Sequence, residues 1–125
     1  MTVQELYESI GGSYESAKRI LMNDALIARF IVKLPDDKTC ERLMAAEAGM
    51  DAAGLFEGAH AMKGVYANLG LDALSRAAGE ITEEFRPGSP RRLSDEEVHA
   101  RLADIRAQYA RTMDEIRRFA AEQNQ

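Results

Sequence analysis

Of the two histidines in the chain, His60 stands in the run "GAHAMKGVYANLG", three residues before Lys63 and four before Gly64. In a helix that spacing puts all three on one side, one turn apart. A neutral imidazole is a nucleophile, and an ammonium group one turn away disfavours its protonated form. The same ammonium offers three donors and a point charge to a phosphoryl group placed on the ring. Glycine inside a helix costs roughly 1 kcal/mol relative to alanine. Gly64 therefore needs a reason, and a bare strip that lets a partner backbone come close to the histidine supplies one. The triplet suits holding a phosphoryl group.

The residues sharing that face are Phe56, Glu57, Ala67 and Asn68, with Ala61 beside them, and they make a mixed, mildly apolar surface for docking. His99, within "EEVHAR", has no strip of small residues next to it and reads as a surface histidine. The single cysteine, Cys40, has no internal disulfide partner and belongs to no C-x-x-C pair, so it reads as a small apolar residue. Acid pairs such as Glu83-Glu84 read as solvated faces, and no metal site is expected. No P-loop, nucleophile elbow or H-E-x-x-H motif is present.

Helical spacing of apolar residues supplies the elements that must position this face. Thr2 and Glu5 have the spacing of a capping box for a first short helix that ends at Gly11-Gly12. Ser13 caps a second, and Asn23-Asp24 open a third that runs from about 25 to 34 and stops at Pro35. Asp36 or Asp37 caps a fourth, which carries Cys40, Leu43 and Met44. The fifth, from 51 to about 69, has an inward stripe of Leu55, Ala59, Met62, Tyr66 and Leu69. His60 lies about 100° off that stripe, at the edge of the bundle. Gly70 suits a left-handed C-cap, after which Leu71, Leu74, Ala78, Ile81 and Phe85 return as the second arm of a hairpin. The segment 86–93, "RPGSPRRL", is expected to be a mobile loop before a last helix capped by Ser94. That helix carries the longest stripe, Val98 to Phe119.

With 125 residues, 46% hydrophobic, no Trp and three Pro, the chain reads as one all-α domain over 1–125. The expected fold is an antiparallel four-helix bundle with additional short N-terminal helices. A net charge of −5 with interspersed basic residues argues against nucleic-acid binding. No stretch has the apolar length of a membrane span and no leader-like segment opens the chain. A cytoplasmic protein and a monomer are therefore expected.

The run "AHAMKGVYANLGLDAL" resembles the signature of the histidine phosphotransfer (HPt) domain of two-component phosphorelays, A-H-x-[LMI]-K-G followed after four residues by L-G and an apolar position. Ala59, His60, Met62, Lys63, Gly64, Leu69, Gly70 and Leu74 fill it. Gly11-Gly12, Phe30, Leu34-Pro35 and "EAGMD" look like the upstream part of the same pattern. The resemblance implies that His60 accepts a phosphoryl group on Nε2 from a receiver-domain phosphoaspartate and passes it to another receiver aspartate. It implies that Lys63 stabilises the phosphohistidine and that Gly64 admits the receiver's loops. A polar residue of the neighbouring helix usually holds the imidazole, and here Thr82, with Glu83 beside it, takes that position. The chain brings no cofactor of its own, and Mg²⁺ is expected from the receiver, since in-line phosphoryl transfer needs a metal and this sequence has no evident carboxylate cluster for one. Partners would be response-regulator receivers and a hybrid histidine kinase. The alternative is an HPt-fold protein that binds a receiver or kinase without carrying phosphate. A helical oligomerisation module is a third reading.

Overall fold

The computed structural model describes residues 1–124. Among them are seven α-helices and one 3₁₀ turn, and no strand. The helices are α1 (Val3–Ser9), α2 (Tyr14–Leu21), α3 (Asp24–Ile31), α4 (Thr39–Ala45), α5 (Ala52–Asn68), α6 (Asp72–Glu84) and α7 (Asp95–Gln123). The caps sit where small polar side chains fall in the sequence. Thr2 and Ser94 form full capping boxes with Glu5 and Glu97, and the side chains of Ser13 and Asn23 accept from Ser16 and Leu26 amides.

Two boundaries differ from the expected ones. Helix α3 ends at Ile31, and Pro35 does not stop it but lies inside the 3₁₀ turn Leu34–Asp36. Proline suits an early helical position because its missing N–H would lack a partner there. Helix α4 begins at Thr39 after Lys38, which provides no side-chain cap. The oxygen that serves its first turn comes from Asp37, whose Oδ1 accepts from the Thr39 amide at 2.9 Å.

Helices α4, α5, α6 and α7 form the four sides of a bundle, each packed on the next, with α7 closing back onto α4 and the 3₁₀ turn. The short helices α1 to α3 pack on one another, and α1 also packs on α7. The core is made by the predicted stripes: Leu55, Ala59, Met62, Tyr66 and Leu69 from α5, Leu71, Leu74, Ala78, Ile81 and Phe85 from α6, and Val98, Leu102, Ile105, Met113, Ile116 and Phe119 from α7 are all buried. Tyr109 alone of the α7 stripe is only half-buried.

The α5–α6 hairpin is the most closely packed pair and carries the site. Its turn is fixed by Gly70 at φ +72, where an added Cβ would lie 2.5 Å from the Ser13 carbonyl oxygen. Only glycine meets both demands. Tyr7, buried on α1, donates its hydroxyl to the Leu69 carbonyl and ties the N-terminal helices to that turn. Among the described residues no helix is long and apolar enough to cross a membrane.

Candidate functional site

His60 is exposed on the outer face of α5, with Lys63 and Gly64 exposed one turn further on. Their common orientation follows from burial of the α5 stripe, because a helix that turns Ala59 and Met62 fully inward must turn these three out.

Two glycines on α5 have opposite meanings. At Gly58 an added Cβ would stand 2.8 Å from Leu43 Cα, so this glycine lets α4 pack onto α5. At Gly64 an added Cβ would meet nothing within 4 Å. Nothing in the chain's own packing requires Gly64 to be glycine.

Helix α6 supports the site from behind. Ser75 donates its hydroxyl to the Lys63 carbonyl at 2.9 Å, locking the two helices together at that residue. The stem of Lys63 lies over Gly79, whose added Cβ would approach Lys63 Cδ to 3.5 Å. The lysine is thus laid along α6, and Lys63, Gly79 and Glu83 line one groove. Neither Ser75 nor Gly79 stands out in the sequence, since their importance comes only from lying opposite Lys63.

The expected holders of the imidazole are placed differently from the reading in sequence. Thr82 is fully buried and its hydroxyl donates to the Ala78 carbonyl at 2.9 Å, one turn back on its own helix. Glu83 is exposed and grips Arg86 with both oxygens, at 2.7 Å to Nε and 2.9 Å to Nη2. The Arg86 hydrogen bond, assisted by the charges of Arg86, Lys63 and His60, holds the Glu83 carboxyl below the usual range. Among the described residues no hydrogen bond reaches the His60 ring from either residue.

What does touch the ring is Phe56. The two rings are stacked with centroids 5.8 Å apart and planes 6° from parallel. Pairs of this kind contribute about 0.5–1.5 kcal/mol beyond the area they bury. The Arg86 guanidinium lies over the same phenyl ring, 5.4 Å from its centroid. Of the other face residues, Glu57, Ala61 and Asn68 are exposed and Ala67 is half-buried, so the strip around His60 is open and low.

Glu84 corrects the reading of "EE" as a solvated pair. It is 5% exposed. Its carboxylate accepts from Arg91 Nε at 2.7 Å and from the amides of Arg92 and Leu93. Burial alone would raise its pKa, but these hydrogen bonds outweigh it and hold the carboxyl low. His99 is engaged elsewhere, with Nδ1 2.6 Å from Glu47 in the turn between α4 and α5. Cys40 is buried, which pushes its thiol up to about 11. Among the described residues no group of three His, Cys, Asp or Glu side chains is arranged to hold a metal.

An all-helical bundle presenting a histidine on the open face of a two-helix hairpin defines a class of domain rather than one protein. The chain belongs to the Hpt-domain family: the family model described as Hpt domain matches residues 25–120. Membership implies a phosphotransfer role in a phosphorelay and interaction with receiver domains. No curated protein and no solved structure shows a significant match to the chain.

Proposed function

We propose that this protein is a phosphocarrier whose acceptor is His60. One observation carries the reading: Gly64, beside an exposed histidine and one residue after a lysine, is bare although its own fold leaves room for a side chain. A helix keeps such a costly residue where something from outside must approach.

In the forward step the Nε2 lone pair of His60 forms a P–N bond as the P–O bond of a receiver's aspartyl phosphate breaks. The receiver carboxylate leaves with the electron pair, and Nδ1 keeps its proton. Lys63 lies one turn away to hydrogen-bond the phosphoryl oxygens. Transfer to a second receiver is the reverse step on another carboxylate. Mg²⁺ and its acidic pocket belong to the receiver in this scheme. The receiver docks over Glu57, Ala61, Gly64, Ala67 and Asn68. It extends onto the groove where Asn68 and Val65 meet Ile20 and Phe30, which are 49% and 45% exposed.

The test is incubation with a phosphorylated receiver and Mg²⁺, followed by intact-mass measurement at neutral pH. An acid-labile phosphoryl adduct on the wild type, absent from a folded His60→Gln variant, is the expected result. No adduct across a panel of receivers would leave a domain that binds without carrying phosphate.

A further inference from the structure

We propose that the His60 imidazole is oriented for transfer by stacking on Phe56, and that Glu83 acts on the ring only at second hand, by fixing Arg86 against Phe56. This rests on the reading of His60 as the acceptor. An attacking imidazole must present its in-plane lone pair along the line of the phosphorus, and small misplacements are costly in rate. The common way to fix such a ring is a hydrogen bond to one nitrogen. Here Thr82 is buried with its hydroxyl turned to Ala78, and Glu83 has both oxygens on Arg86.

The phenyl ring one turn before the histidine does the work instead. With planes 6° apart the two rings keep a parallel contact, which rotation of the imidazole about Cβ–Cγ would give up. Stacking therefore favours this plane of the ring. It leaves both nitrogens free and the two half-turn orientations equivalent, unlike a hydrogen bond to Nδ1, which would choose between them. Phe56 itself is half-buried at the margin of the core. It is steadied by the Arg86 guanidinium over its ring, and Arg86 by its two-pronged grip on Glu83. Glu83, Arg86 and Phe56 are positioning residues in this arrangement. They connect the end of α6 to the histidine on α5.

The experiment compares wild type with Phe56→Leu, Phe56→Tyr and Glu83→Gln. On the unphosphorylated proteins, NMR reads the His60 ring carbon-bound protons. On the same proteins, transfer from a phosphorylated receiver is followed over a range of receiver concentrations. The wild-type and Phe56→Tyr ring protons should be displaced from free-imidazole positions, and Phe56→Leu should move them back toward those positions. Phe56→Leu should lower the maximal transfer rate about tenfold or more, with Phe56→Tyr restoring most of it. Glu83→Gln should give a smaller loss of the same kind. Unchanged ring shifts in Phe56→Leu would overturn the proposal, and so would a variant whose half-saturation alone rises, since Phe56 would then be a docking contact. A wild type that takes no phosphoryl group at all would instead sink the acceptor reading, and the positioning role with it, whatever the ring shifts show.

Discussion

Two glycines six residues apart on α5 make opposite predictions. Gly58→Ala would push a methyl group to 2.8 Å from Leu43 Cα and 3.0 Å from Leu43 N, backbone atoms that cannot turn aside. Overpacking of this sort costs about 1–3 kcal/mol, more than the helical propensity gained. Thermal unfolding of Gly58→Ala should therefore shift down by several degrees. Gly64→Gln has open space to enter and should raise stability by about 0.5–1 kcal/mol. It should still slow transfer from a receiver at least about tenfold, because the added side chain stands where the partner must come. Normal transfer by a stable Gly64→Gln protein would remove the explanation of that glycine. The sequence alone marks His60, Lys63 and Gly64 through their spacing, but does not tell these glycines apart. That difference depends on α4, which lies against one and not the other.

At the scale of elements, the end of α6 and the segment after it act together. The stripes of α5, α6 and α7 are legible because burial repeats every three or four residues, and side-chain caps are legible because few residue types make them. The neighbours Glu83 and Glu84 are not. One reaches out to Arg86 and the other is drawn in by Arg91 and two loop amides, which no local pattern announces. The segment expected to be mobile is thus tied at its far end to Glu84, with Arg91 also over the Phe85 ring at 4.5 Å. The folded pKa of Glu84 lies below its ordinary value, so its contribution is fully present above about pH 4.3 and is lost as pH falls through the depressed folded value. Glu84→Gln should cost about 1–3 kcal/mol at neutral pH. The gap from wild type should narrow on acidification below about pH 4. Amide exchange at Arg92 and Leu93 should speed up in the variant at pH 7. Equal protection in both proteins would show that the segment is held by something other than this carboxylate.

Across the whole molecule, an acidic chain keeps one groove beside the α5 face mainly apolar. The chain carries a net charge of −5, yet the groove beside the α5 face is lined by Ile20, Leu21, Phe30, Leu34, Val65 and Leu69, with Lys33, Asp37 and Asn68 among them. Val65 and Asn68 follow Gly64 on α5, so this apolar surface is continuous with the strip that leads from His60. Phe30 is legible in the sequence as part of the upstream pattern of the resemblance, but its exposure is not. Its exposure arises because α3 ends at Ile31 and turns Ile27 and Ile31 into the core instead. An exposed aromatic on a continuous apolar surface is the kind of residue that anchors a transient interface. Phe30→Asp should therefore raise the receiver concentration needed for half-maximal transfer about tenfold, a loss near 1.4 kcal/mol of binding. The maximal rate and the uptake of phosphate from a small-molecule donor should stay as in wild type, because His60, Lys63 and Gly64 are untouched. A fall in the maximal rate with unchanged half-saturation would place Phe30 in the support of the site and move the docking surface elsewhere on the bundle.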